Sequence, residues 1–306
     1  MILKKIITFY MMVCTTGAIT AQDNILPLWL KQIPNQIKSD EKEVKEYTDI
    51  LRISMVQEPT IEVYLPSKGN SNGQAVLIFP GGGYQILAYD WEGTDMAKFL
   101  NSKGIAGIVV KYRLPNSKSL KEQYNVPLQD AQRAIRLVRA NAETWHIQPD
   151  KIGIMGFSAG GHLAATLGTH FNEEVHTPQD DIDSLSARPD FMALIYPVIT
   201  LQNPYTHQGS KKALLRENPS DEMIKHFSNE LQVKEDTPPT FLVHATDDTA
   251  VPVENSLLFY EALKAKKVSV TLFIYPNGGH GFSFGFKDAF LKDWTNQLSN
   301  WLNSMN

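Results

Sequence analysis

The chain has 306 residues, with 29 Lys and Arg against 33 Asp and Glu and a formal net charge of −4. That mild acidity is spread along the chain and argues against nucleic acid or an anionic membrane as the main partner. One cysteine, Cys14, is too few for a disulfide framework.

The first residues have the pattern of a secretory leader: charged Lys4 and Lys5, an apolar stretch from Ile6 to Val13, and small residues from Thr15 to Ala21. The stretch is too short to span a membrane, and cleavage is expected after Ala21, leaving Gln22 first; a retained anchor is the alternative. Cys14 follows Val13 rather than the small residue that lipid attachment favours. Loss of residues 1–21 takes the net charge to −6 and removes Cys14, and with it thiol catalysis and cysteine-ligated metal. The expected location is secreted or periplasmic, with no membrane association once the leader is gone. Residues 22–306, about 285 in number, show no repeat, low-complexity tract or linker and are expected to form one domain.

Residues 22 to 60 read as polar and irregular, with a charged cluster from Asp40 to Glu46. Short β-rich runs follow at Ile61–Tyr64, Ala75–Phe79, Ile105–Val110, Ile152–Met155, Phe191–Tyr196, Phe241–His244 and Val268–Tyr275. Several are apolar throughout, as strands covered on both faces must be. Between them lie helical patterns. The clearest runs from Pro127 to Trp145, with Leu128, Ala131, Ile135, Val138, Ala142 and Trp145 on one stripe. Arg133, Arg136 and Arg139 fall off the stripe and read as a solvated face. The alternation predicts an α/β fold with a doubly wound, mostly parallel sheet. The polar stretches Asn172–Pro189 and Thr200–Pro238 each follow a strand. They are expected as loops or small cap insertions over the C-terminal edge of the sheet, where ligands bind.

Four motifs carry chemistry. Pro80-Gly81-Gly82-Gly83-Tyr84 directly follows the run Ala75–Phe79. Consecutive glycines let backbone N–H groups of Gly82 and Gly83 approach a substrate oxygen. An ordinary flexible turn is the plainer reading, and a phosphate loop lacks its Lys and Ser/Thr. Gly156-Phe157-Ser158-Ala159-Gly160-Gly161 lies between the run ending at Met155 and the helical pattern His162–Phe171. Gly-x-Ser-x-Gly between a strand and a helix is a nucleophile elbow. Its glycines allow a turn too tight for side chains, and the helix N-terminus puts the Ala159 N–H beside the serine. Thr246-Asp247-Asp248-Thr249-Ala250-Val251-Pro252 follows the run ending at His244, and either aspartate could orient a base. Gly278-Gly279-His280-Gly281-Phe282 follows the last strand, and a histidine there can exchange protons near neutrality. His162 is too near Ser158 in sequence to serve, and His244 reads as a packed core residue. His146, His170, His176, His207 and His226 read as surface positions. None forms a His-x-x-x-His pair, so no metal is expected.

These four motifs resemble the α/β-hydrolase superfamily and, more narrowly, its secreted acetylxylan esterase-like carbohydrate esterases. The resemblance spans about Ile61 to Leu302. Pro80 stands where many related esterases carry His, and Ala245 where Gly is common; neither change removes a reacting group. The resemblance implies a catalytic triad of Ser158, Asp248 and His280, in the chain order of that superfamily. Asp248 is preferred because Asp-x-x-Val-Pro puts it in the acid's position. An oxyanion hole from Gly82, Gly83 and Ala159 completes the set. The implied activity is hydrolysis of acetyl or other short acyl esters on an acetylated oligo- or polysaccharide such as xylan, with no cofactor. Tyr84 and Trp91, with Tyr89, could form a wall on which a sugar stacks, although core packing explains them equally well. Two other readings are a serine peptidase of the prolyl-oligopeptidase type and a non-catalytic binding protein on a hydrolase scaffold.

Overall fold

Apolar runs with no polar face can only be buried on both sides, and that demand organises the molecule. The computed structural model describes residues 25–305; the expected leader lies outside them. In chain order the strands are β1 (Ile25–Pro27), β2 (Val44–Tyr47), β3 (Leu51–Ser54), β4 (Thr60–Tyr64), β5 (Ala75–Phe79), β6 (Leu87–Ala88), β7 (Ala106–Lys111), β8 (Ile152–Phe157), β9 (Met192–Ile195), β10 (Thr240–Ala245) and β11 (Val270–Tyr275). The α-helices are α1 (Asp95–Ser102), α2 (Val126–Ala140), α3 (Ser158–His170), α4 (Gln208–Leu215), α5 (Asp221–His226), α6 (Glu254–Ala265) and α7 (Trp294–Asn303). Among the described residues no helix is long and apolar enough to cross a membrane.

Eight strands form one sheet in the order β1-β4-β7-β5-β8-β9-β10-β11. From β7 to β11 all neighbours are parallel, whereas β4 and β1 are antiparallel additions at one edge. The sheet is therefore mostly parallel and helix-covered, as expected. Every residue of β5, β8, β9 and β10 is buried. Each large apolar side chain so covered is worth about 1.5–3 kcal/mol. The central strands β5 and β8 end at Phe79 and Phe157, so the glycine loop and Ser158 leave the same sheet edge side by side.

The segment read as polar and irregular is structured. β1 extends the main sheet, and β2, β3 and β6 form a separate three-stranded sheet in that order. These strands are only three or four residues long, too short for a period-two signal. Trp29 anchors the segment, with Nε1 donating to buried Asp130 Oδ1 at 2.9 Å.

The arginine face of α2 is not solvated. Arg133 is buried and donates to Asp180 and Asp183 at 2.6 and 2.9 Å. Arg136 donates to the Leu185 carbonyl, and Arg139 to those of Ser186 and Arg188. These acceptors belong to the stretch 172–189, with Leu28 and Pro149 supplying further carbonyls to Arg133 and Arg139. That stretch runs along α2 instead of capping the sheet edge. The periodic stripe sees only the apolar face; the partners of the opposite face lie about 40–50 residues away in sequence. The helix itself ends at Ala140. A turn closed by the Trp145 N–H on the Asn141 carbonyl carries Trp145 into the core. The last helix likewise starts at Trp294, after a 3₁₀ turn from Leu291 to Asp293, rather than near Ala289.

Candidate active site

Ser158 begins α3 immediately after β8. Its φ is +51°, a left-handed conformation that a side-chain-bearing residue seldom adopts unless its surroundings impose it. Here the glycines impose it. A Cβ on Gly156 would strike the Gly160 carbonyl, and one on Gly160 would strike the Phe79 carbonyl. Strand, turn and helix thus pack too closely for any side chain at those two positions. The turn presents the Ser158 hydroxyl at the sheet edge.

The three residues read from separate motifs meet there. Ser158 Oγ lies 2.8 Å from His280 Nε2, and His280 Nδ1 lies 2.7 Å from Asp248 Oδ2. With Nδ1–H donating to the carboxylate, Nε2 is the free acceptor for the serine proton. The Asp248 side chain is fully buried, and that of His280 is a quarter exposed. Burial alone would push the Asp248 pKa up. Hydrogen bonds from His244 and His280 outweigh it and hold the carboxyl well below its usual range. Its other oxygen accepts the N–H groups of Ala250 and Val251 at 3.0 and 2.9 Å.

Asp247 has a separate task. Its Oδ1 accepts the Gly279 N–H at 2.8 Å, so it ties down the loop one residue before His280. His244 is a core residue as expected, with a polar contact the sequence did not suggest. Its Nε2 faces the Val251 carbonyl at 3.0 Å and Asp248 Oδ2 at 3.2 Å. A carbonyl only accepts, so Nε2 carries the hydrogen and shares it with the aspartate.

Gly82 and Gly83 have φ of +131° and +63°, and a Cβ on Gly82 would strike the Ile86 carbonyl. Both line a cavity of about 530 Å³ with Ser158, His280, Trp91 and Glu92. The Ala159 N–H is among the first-turn donors that an α-helix leaves unpaired. Oxyanion donors on both sides of the serine are thus available. Asp49, Ile50 and Arg52, from the hairpin of β2 and β3, form another wall of the same cavity. His207 lines it too, and its pKa is lowered by burial and then by the nearby His280.

Of the expected aromatic wall only Trp91 reaches the cavity, with Nε1 donating to the Gly281 carbonyl at 3.2 Å. Tyr84 does not. It is 1% exposed, and its hydroxyl lies 2.8 Å from His162 Nδ1, whose Nε2–H donates to the Phe227 carbonyl. Its left-handed backbone, with φ at +60°, turns the ring down into the core. Burial lowers the His162 pKa to about 4. Tyr89 is also buried, donating to Glu62. Of the histidines read as surface positions, His146 is exposed, whereas His170 is buried and His176, His207 and His226 are partly covered.

Glu92, a residue without a motif, is a buried carboxylate on the cavity wall. Its Oε2 accepts the Gly81 N–H at 2.8 Å, and its Oε1 accepts the Tyr196 hydroxyl at 2.7 Å. Tyr196 packs edge-on against His280 at 5.1 Å between ring centres and receives the Ser283 N–H. Glu92 therefore links the glycine loop to the histidine loop. Burial raises its pKa, offset in part by its two donors. A lone glutamate in Asp90-Trp91-Glu92-Gly93 carries no motif, so no sequence signal marked it. Glu92→Gln leaves one acceptor oxygen and turns an amide N–H₂ toward the second donor, so that loop contact is lost. The expected result is a 10–100-fold lower kcat on 4-nitrophenyl acetate with little change in KM, the pattern of a loosened oxyanion hole. An unchanged kcat would mean that the loop is held without this carboxylate.

Residues 61–263 match the family model BD-FAE. The chain is 38% identical over 250 residues to an acetylxylan esterase of Xylanibacter ruminicola, covering 79% of this chain and 47% of that protein. It is 39% identical over 220 residues to endo-1,4-beta-xylanase B of Butyrivibrio fibrisolvens, covering 72% of this chain and 34% of that one. The chain thus spans half or less of the length of these curated relatives. A crystal structure described as an acetyl ester-xyloside bifunctional hydrolase from Caldicellulosiruptor lactoaceticus superposes with a TM-score of 0.80 at 37% identity, covering 94% of this chain and 98% of that one.

Proposed function

From the fact that this chain belongs to the BD-FAE family of α/β-hydrolases, we propose that it is an exported serine esterase that removes acetyl and other short acyl groups from acetylated xylan or a similar polysaccharide. The observation that carries this reading is the continuous relay from Ser158 through His280 to Asp248, at 2.8 and 2.7 Å, beside two glycines at positive φ. The acetylxylan esterase and the acetyl ester-xyloside hydrolase among its relatives support the substrate class.

His280 Nε2 takes the Ser158 proton as Oγ attacks the acetyl carbonyl carbon. The carbonyl oxygen becomes an oxyanion, held by the N–H groups of Gly82, Gly83 and Ala159; each such donor is worth about 3 kcal/mol. Asp248 stabilises the imidazolium. The sugar oxygen leaves with the proton from His280, and Ser158 keeps the acetyl group. Water, deprotonated by His280, then attacks the acetyl-enzyme and releases acetate. Trp91 gives the cavity an aromatic lining for the sugar, and Asp49 and Arg52 of the hairpin a polar one. No step calls for a cofactor.

The experiment is acetate release from a panel of acetylated polysaccharides, run on the exported fraction of an expressing culture. Acetylated xylan is expected among the best substrates, with activity recovered outside the cells. Faster turnover of aminoacyl-anilides would favour the peptidase reading, and no turnover of any small ester would favour a binding protein. Activity confined to the cells would contradict export.

A further inference from the structure

The far end of α3 from Ser158 carries a second group of possible ligands. His170 ends α3, Glu173 follows it in the next turn, and His226 ends α5. One ligand atom from each lies within 4.8 Å of the other two. His226 Nε2 is 3.6 Å from one Glu173 oxygen, and His170 Nε2 is 3.8 Å from the other. Both separations are too long for hydrogen bonds.

His170 is 3% exposed, yet its Nε2 has no hydrogen-bond partner. The opposite nitrogen, Nδ1, lies 2.8 Å from Thr169 Oγ1, whose own hydrogen goes to the Ala165 carbonyl at 2.8 Å, and 3.2 Å from the Thr166 carbonyl oxygen. A carbonyl only accepts, so Nδ1 carries the hydrogen and Nε2 presents a lone pair. That lone pair points toward a carboxylate, which is also an acceptor. A buried lone pair that faces another acceptor is left unsatisfied, and a cation between them satisfies both.

We propose that His170, Glu173 and His226 form a divalent metal site, best matched to zinc. Two imidazoles and one carboxylate, without thiolate, are a donor set that zinc accepts. The Nδ1–H bond to the Thr166 carbonyl is the outer contact that orients a metal-bound histidine. Zinc bonds of about 2.0–2.1 Å put tetrahedral neighbours about 3.3–3.4 Å apart; the two His–Glu173 separations, to different carboxylate oxygens, exceed that by a few tenths of an ångström, and the set as a whole, within 4.8 Å, closes by at most about 1.4 Å. Glu173 and His226 have side chains 40% and 38% exposed and can move that far onto the fixed His170. A water completes the fourth position on their open side. Lys234 is near enough to act on His170 electrostatically, which weakens affinity for a cation without removing the ligands.

The thirteen residues of α3 put this ion about 18 Å along the helix from Ser158 at about 1.5 Å per residue, too far to act on the ester. It joins α3 to α5, which belongs to the insertion between β9 and β10 that also supplies His207 to the cavity. The ion is thus a staple between the nucleophile helix and the insertion, independent of the hydrolytic reading.

The test is calorimetric titration of chelator-stripped protein with zinc chloride. One equivalent is expected to bind, with the affinity 10–100-fold weaker in His226→Ala and in Glu173→Gln, both of which should keep the wild-type circular dichroism. Zinc at about a hundred-fold excess over Kd should raise Tm by about 5 °C and leave kcat on 4-nitrophenyl acetate unchanged. No saturable equivalent up to about 1 mM zinc, a free energy of only about −4 kcal/mol, overturns the site. Equal affinity in wild type and both variants overturns the ligand assignment. Saturable binding without a Tm shift overturns the staple.

Discussion

Ser158→Ala is expected to abolish ester hydrolysis, with kcat on 4-nitrophenyl acetate falling by about 10⁴–10⁶ while the fold persists. The substitution removes only Oγ, the atom that sits 2.8 Å from His280 Nε2. It keeps the Cβ that packs beside Gly81, and the residue stays in its imposed left-handed conformation. The glycine loop and the Ala159 N–H remain, so a small residual rate from the oxyanion hole and substrate binding should survive. Thermal unfolding within a few degrees of wild type would establish that the loss is chemical. A folded variant retaining a tenth of the wild-type rate would mean that another group attacks the ester.

Asp248→Asn is expected to cost about 10⁴ in turnover, as the same change does in a related triad. Asp248 accepts from His280 Nδ1 at 2.7 Å and from His244 at 3.2 Å. An amide cannot accept with both terminal atoms, and its N–H₂ turned toward His280 would select the tautomer with Nε2 protonated. That tautomer cannot take the serine proton. Stability has its own signature. The folded-state pKa of Asp248 is depressed, so its contribution is present above the ordinary carboxylate value of about 3.9 and is lost as pH falls through the folded value. Asp248→Asn should remove that share of the acid-side loss. Asp247→Asn keeps an amide oxygen to accept the Gly279 N–H but loses the charge that strengthens that bond, and should cost about 1 kcal/mol with a modest effect on kcat. Turnover of both variants at pH 7, with circular dichroism, decides between them. A dead Asp247→Asn beside an active Asp248→Asn would reverse the assignment; two active variants would remove the acid from the mechanism altogether.

The parts of the molecule legible in the sequence are those governed by short-range rules. Strands buried on both faces must be apolar throughout, so β5, β8, β9 and β10 were visible as runs. A tight strand-to-helix turn needs glycine where Cβ would meet backbone, so Gly156 and Gly160 marked the turn that presents Ser158. The choice between Asp247 and Asp248 came from resemblance to a family, not from local chemistry. Geometry now puts the two on different partners, His280 and Gly279.

What the tertiary structure alone decided are contacts between residues distant in the chain. Arg133 looks like a solvated helix residue until Asp180 and Asp183, 47 and 50 positions away, come to meet it. Tyr84 looks like a sugar platform until its positive φ sends the ring toward His162. Glu92 gains its role only because Gly81 and Tyr196 converge on it from opposite sides. His170 and His226 become neighbours only through the insertion between β9 and β10. The parallel strands and the four motifs were legible in the chain itself, because periodicity and glycine placement act within a few residues, whereas the three-residue β1 was not. Pairing of polar groups depends on which surfaces the fold brings within about 3 Å, and no local pattern encodes that distance.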